Sequence, residues 1–200
     1  MIAVSEVTGL LRPGLLEGTS LLVVGAGNPA PSFGQAVCEG CEQLGSCTHA
    51  YAHDGGVDEA AMDAAAATAV AESGGLDMLV VDGAALFVSG GLRGCVDSAW
   101  DATRAVVNLA FLPVESSPPT RRIVYLAPAP GAGEQADAAR AGLENLARTL
   151  SVEWARHEIT LVTIALGNAT TPGEAAALTA YLASPAGAYF SGCLLDLRGV

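Results

Sequence analysis

The apolar positions of this chain fall into short continuous runs that alternate with longer stretches of helical spacing. "LLVVGAG", from Leu21 to Gly27, is an unbroken apolar run closed by glycine, the pattern of a parallel strand buried on both faces. A helix to about Leu44 follows, then a strand near Cys47 to Ala52 in which Cys47, His49 and Tyr51 share one face. An alanine-rich helix from Val57 to Ala71 precedes the strand "DMLVVDG", Asp77 to Gly83. Next come a helix around Cys95 to Leu112, stopped by Pro113, a loop "VESSPPT" and the strand "RIVYLAP". "ADAARAGLENLARTLSVEWARHEITLVTIALG", Ala136 to Gly167, reads as a long amphipathic helix feeding a buried strand. The helix "GEAAALTAYLAS", closed by Pro185, and the strand "GCLLDL" complete the order.

Strict alternation of buried strands with helices predicts an α/β fold: a Rossmann-like, doubly wound parallel sheet of about six strands with helices on both faces. No internal repeat, low-complexity tail or linker divides the chain. A single domain over residues 1–200 is expected, with residues 1–18 as an N-terminal arm.

Composition narrows the function. Hydrophobic residues make up 51% of the 200 and charged residues 15%, against roughly 25% charged in a typical soluble domain. A surface so poor in charge is expected to hide part of itself in an oligomer. The net charge of −12 repels phosphate backbones and anionic membranes, so neither nucleic acid nor membrane is expected as a partner. All nine basic residues are Arg, which excludes any chemistry that requires a lysine. "MIAVSEVTGLLRPGLLEG" has no basic start and is interrupted by Glu6, Arg12 and Pro13, so a cytoplasmic location is expected.

Five cysteines, an odd number, suit a reduced compartment. Cys38, Cys41 and Cys47, with His49 and His53, resemble the start of a zinc site, but no second C-x-x-C or H-x-x-x-H supplies four ligands. Cys38 and Cys41 have helical spacing and lie inside the helix, away from the N-terminal dipole that would activate a dithiol. No metal is expected.

In a sheet of this kind, ligands sit at the carboxyl ends of the strands, where strand order reverses. In "GAGNPAPSFGQAV", Gly25, Gly27 and Gly34 form a stretched glycine turn whose N–H groups, with the next helix N-terminus, would cradle a pyrophosphate. Pro29 and Pro31 each remove one donor. Asp54, 20 residues past Gly34, is placed either to hold an adenosine ribose or to make the turn in "HDGG".

These segments together resemble the short-chain dehydrogenase/reductase family. "RRIVYLAP", the Ala136 to Gly167 segment and "YLASPAGAYFSGCLLDLRG" are similar to its fifth strand, active-site helix, sixth strand and closing segment in order. "LLVVGAG", "SFGQAV" and "LDMLVVDGAAL" are similar to its cofactor turn and fourth strand. The resemblance implies a Rossmann fold, NAD or NADP as cofactor, and dimers or tetramers built through two long central helices. It assigns Gly25, Gly27, Ser32, Phe33, Gly34, Asp54, Asp82 and Gly83 to cofactor binding.

The same resemblance places Ala136 and Arg140 where active members have a Tyr proton carrier and, four residues later, a Lys. The family's orienting serine falls on Pro128. Alanine transfers no proton, and arginine has another shape from lysine. Further departures are "VDGA", Val81 to Ala84, in place of N-N-A-G, Ser32 in place of a glycine, a missing edge strand after Asp54, and only "NATTPG" where the family has a longer segment over the substrate. No catalytic residue is assigned, since Tyr125, Glu134, Asp137, His157 and Asn108 each have a structural reading.

An apolar stripe at spacings of three and four runs along Ala139, Leu143, Leu146, Leu150 and Trp154, flanked by Ala147, and Trp100, Val107 and Phe111 suggest a second stripe on the preceding helix. They would face either a second subunit or their own sheet. Three functions follow. The first is a non-catalytic subunit with a structural or regulatory role in a homo-oligomer, or in a hetero-oligomer with an active homologue. The second is an NAD(P)-dependent oxidoreductase acting on a carbonyl or alcohol through non-standard residues. The third is a dinucleotide-binding sensor module.

Overall fold

The computed structural model describes residues 11–25, 32–52, 58–113 and 121–199. Six strands form one sheet: β1 (Ser20–Val24), β2 (Cys47–Tyr51), β3 (Met78–Val81), β4 (Arg121–Ala127), β5 (Ile159–Ala165) and β6 (Cys193–Asp196). Their order is β2-β1-β3-β4-β5-β6, and every neighbouring pair is parallel. Five α-helices connect them: α1 (Phe33–Gln43), α2 (Glu59–Ser73), α3 (Gly83–Val106), α4 (Ala136–Glu153) and α5 (Pro172–Ala183).

Successive side chains of a strand point to opposite faces, and the core divides accordingly. Leu22, Val24, Leu79, Val81, Ile123 and Tyr125 pack with α2, α3 and α4 on one face. Leu21, Val23, Val80, Val124, Leu126 and Ile164 pack with α1 and α5 on the other. The continuous apolar runs seen in the sequence are therefore strands covered on both sides. The edge strands differ: β2 is exposed or half-buried throughout, as is β6.

The end of the expected N-terminal arm is part of this core. Leu16 is fully buried against α1, and its N–H donates to the Leu44 carbonyl at 3.0 Å. β1 starts two residues past the boundary expected at residue 18.

Two expectations about α3 need correction. The sequence reading started this helix near Cys95 and took "VDGA" into the preceding strand and its turn, whereas the strand stops at Val81 and α3 begins at Gly83. Small residues allow that early start: a Cβ on Gly83 would lie 2.7 Å from Leu143 Cδ1 and 2.8 Å from the Leu126 carbonyl, so α3 can cross α4 and β4 closely only with glycine there. A non-helical Gly91, at φ 63°, then divides the helix and masks its periodicity in the sequence.

The second correction concerns the stripe of Trp100, Val107 and Phe111. Val107 and Phe111 lie in the π-helical turn Val107–Phe111 that continues α3, and both are buried in the core. Trp100 is 43% exposed, on the side of α3 that also carries exposed Arg93. The stripe of α4 faces its own sheet: Ala139, Leu143, Ala147 and Leu150 are buried in the core, and Leu146 and Trp154 pack against it half-buried.

Candidate functional site

Strand order reverses between β1 and β3, because β1 is followed by β2 on one side and β3 returns to its other side. The crevice at this switch point is where a doubly wound sheet places its ligand. Two helices begin there, α1 after β1 and α3 after β3, and both direct their unpaired N–H groups and positive dipole ends toward it. The positions singled out in the sequence converge on this spot: Gly25 at the end of β1, Ser32, Phe33 and Gly34 entering α1, and Asp82 and Gly83 entering α3. Gly27 and Asp54 lie outside the described residues.

Asp82 is the centre of this arrangement. Its carboxylate accepts the Gly34 N–H at 2.6 Å and the Ala85 N–H at 3.0 Å, so one side chain caps α1 and α3 together. The Ala84 N–H and the Ser32 hydroxyl add to the same carboxylate, and Ser32 Oγ in turn accepts the Gln35 N–H at 3.0 Å. Asp82 has no exposed surface. Burial pushes its carboxyl above the ordinary value, while these hydrogen bonds, led by Ala85 and Gly34, oppose the rise. Gly25 lies directly over it at φ 90°, where a Cβ would come within 3.1 Å of the Asp82 carbonyl. The Asp82 carboxyl group thus already occupies N–H groups of the kind that would cradle a pyrophosphate.

On the β4 and α4 side, Pro128 follows β4 and is buried. Ala136 is the first residue of α4 and 2% exposed. Arg140, one turn on, pairs with Asp137 at 2.8 Å, and its buried Nη1 has no hydrogen-bond partner among the described residues. Asp196 at the end of β6 is held by Arg198 and feels Arg140 as a further positive charge, which together lower its carboxyl to about 2.

The candidate acids lie elsewhere. Tyr125 is fully buried, and its hydroxyl is 2.7 Å from Thr103 Oγ1 of α3; burial pushes its phenol well above the ordinary value. Glu134 is exposed in a turn, and Asp137 is engaged by Arg140. His157 lies in the short 3₁₀ turn just before β5, at the opposite end of the sheet, beside Arg156. Asn108 is exposed in the π-helical turn beyond α3. Sequence reading missed the double-capping role of Asp82; the signal available was an Asp immediately ahead of a small-residue run, an ordinary N-cap pattern.

NAD or NADP, implied by the fold, meets a divided set of groups. The Gly34 N–H at the start of α1 is taken by Asp82, whereas the Nη1 of Arg140, without a partner among the described residues, fits a phosphate or ribose oxygen.

No protein-family model and no curated protein matches the chain. Solved structures do. A hydroxysteroid dehydrogenase from Escherichia coli superposes at a TM-score of 0.73 and 17% identity, over 93% of this chain and 98% of that one. Pseudomonas aeruginosa RhlG, in an NADP complex, gives 0.73 at 22% identity over 94% and 98%. A 3-ketoacyl-(acyl-carrier-protein) reductase from Brucella melitensis, in complex with NADH, gives 0.73 at 20% identity over 92% and 98%. The resemblance read from the sequence is borne out in the fold: this chain has the Rossmann-like architecture of the short-chain dehydrogenase/reductases, and solved neighbours of that fold hold NADH or NADP. Among the described residues, no helix is long and apolar enough to cross a membrane.

Proposed function

We propose that this chain is a member of the short-chain dehydrogenase/reductase family that does not reduce carbonyls, and that it serves as a structural or regulatory subunit of a homo-oligomer or of a hetero-oligomer with an active homologue. The observation that carries this reading is Ala136: it opens α4 at the position the family resemblance gives to a proton-carrying Tyr, and it is buried. Arg140 and Pro128 replace the other two members of that set. The only tyrosine nearby in sequence, Tyr125, is bonded to Thr103 inside the core and has no route to a substrate.

The oligomer is supported by low surface charge and by large apolar side chains in the open. Val88 and Trp100 on α3, with Leu109 and Leu112 just beyond it, are each at least 40% exposed. A cytoplasmic location fits the unpaired buried cysteines.

A second reading, a dinucleotide-binding sensor, is favoured by one observation, the buried Nη1 of Arg140, which has no hydrogen-bond partner among the described residues. Calorimetric titration with NAD(H) and NADP(H), together with light scattering on the same sample, separates the two. A stable oligomer that binds neither cofactor at millimolar concentration is the expected result. Micromolar binding would overturn the purely structural reading in favour of the sensor, and turnover of a carbonyl or alcohol in a substrate screen would restore an oxidoreductase.

A further inference from the structure

The edge strand β2 carries a set of side chains that the proposed function leaves unused. Cys47 and His49 share one face of β2, and Cys47 Sγ lies 3.6 Å from His49 Nε2. The other ring nitrogen, Nδ1, lies 3.2 Å from Glu72 Oε2 in the last turn of α2. Thiol, imidazole and carboxylate are thus in series, each ring nitrogen facing one partner. In that order the carboxylate selects the tautomer with hydrogen on Nδ1, and Nε2 is free to accept the thiol proton. Among the described residues Glu72 is the one carboxylate lining the cavity beside His49, whose other walls include Leu22, Thr48, Tyr51 and the alanine face of α2.

Exposure separates this thiol from the others. Cys38, Cys41 and Cys95 are buried, and burial pushes each up to about 12. Cys193 is half-buried and is also raised by burial. Thiolate is the attacking species in thiol exchange, so reaction is expected at the exposed thiol with a base in reach.

Cys47 also borders a cavity of about 440 Å³ at the amino ends of the strands, away from the switch point. Arg121, 7% exposed, lines the same cavity, with its Nη1 donating to the Phe111 carbonyl at 2.6 Å. Asp77, the one carboxylate of this lining among the described residues, is engaged by the Ser20 N–H at 2.9 Å and by the Ser20 hydroxyl. A buried guanidinium in the wall favours a reagent that carries a carboxylate.

We propose that Cys47, His49 and Glu72 form a base-assisted reactive thiol, and that it exchanges with a low-molecular-weight disulfide bearing carboxylates, leaving Cys47 reversibly S-thiolated. In the step, the Cys47 proton passes to His49 Nε2 and the thiolate attacks one sulfur of the disulfide. The new bond joins Cys47 to that sulfur, the old sulfur–sulfur bond breaks, and the departing thiolate takes the proton from His49. One disulfide is consumed and one mixed disulfide is formed, so no other oxidant is required.

The test is incubation of the full-length, native protein with oxidised glutathione, followed by intact-mass and peptide mass spectrometry. One adduct per chain is expected, on Cys47, removed by dithiothreitol and absent from Cys47→Ser. His49→Asn and Glu72→Gln, verified as folded by circular dichroism, should each slow the reaction at neutral pH by about tenfold or more. The uncharged reagent hydroxyethyl disulfide should react more slowly than oxidised glutathione, even though the net charge of −12 disfavours an anionic reagent. Modification first at Cys193, no adduct at all, or unchanged rates in both His49→Asn and Glu72→Gln would overturn the triad. An equal or faster rate with the uncharged disulfide would overturn the carboxylate recognition.

Discussion

The carboxylate of Asp82 accepts the backbone N–H of Gly34 across the switch point at 2.6 Å, and this bond ties the start of α1 to the start of α3. In a Rossmann-like sheet those two helix ends are the positive pole of the ligand crevice. Here they share a carboxyl group supplied by the chain itself.

Removing that carboxyl group should loosen both helices. Asp82→Ala leaves the Gly34 and Ala85 N–H groups without their acceptor in a buried site. A lost cap and an unsatisfied buried donor together cost about 3 kcal/mol. Urea denaturation should show a lower midpoint with the slope unchanged, and a midpoint equal to the wild type would contradict the double cap.

The same residue sets a pH dependence. Burial raises the folded-state carboxyl above its ordinary value of 3.8. The folded protein therefore keeps a proton that the unfolded chain has released, and stability falls as pH rises across that interval. The contribution is fully present below about pH 4 and is lost as pH climbs through the raised folded value. Urea midpoints measured upward from pH 4 should decline more steeply for the wild type than for Asp82→Asn. Parallel profiles would show that Asp82 titrates normally.

Tyr125 and Thr103 should behave as a coupled pair, with their oxygens 2.7 Å apart in the core. Thr103→Val leaves the phenol buried and unpaired, a cost of about 1–3 kcal/mol. Tyr125→Phe should cost less, because a helical threonine hydroxyl can turn to the carbonyl one turn back. A double-mutant cycle by thermal or urea unfolding should give a coupling of about 1 kcal/mol. Additive effects would mean that the contact contributes nothing.

Trp100 tests the oligomer. It is 43% exposed on α3, where an apolar side chain gains nothing from water. Trp100→Arg should lower the mass seen by light scattering while leaving the circular dichroism unchanged. An unaltered mass would remove this face from the interface.

Much of the fold was legible because burial on both faces leaves an unmistakable trace. β1, β3 and β4 are buried at every position, and only a strand inside a covered parallel sheet tolerates such runs. The end of α5 was legible because its stop signal is local: Pro185 follows the C-cap Ser184 directly. The start of α3 was not, because Gly83 is selected by close contact with Leu143 and Leu126, residues far away in the chain.

By itself the sequence determined the alternation of strands and helices and the absence of lysine chemistry, since periodicity and residue type are properties of the chain alone. Only the tertiary structure decided that Asp82 joins two helix N-termini, that Tyr125 turns inward to Thr103, and that Glu72 meets His49 beside Cys47. Those relationships depend on which elements the sheet brings side by side. Hydrogen bonds reach about 3 Å, so their partners are chosen by packing between distant segments and leave no periodic mark in the sequence.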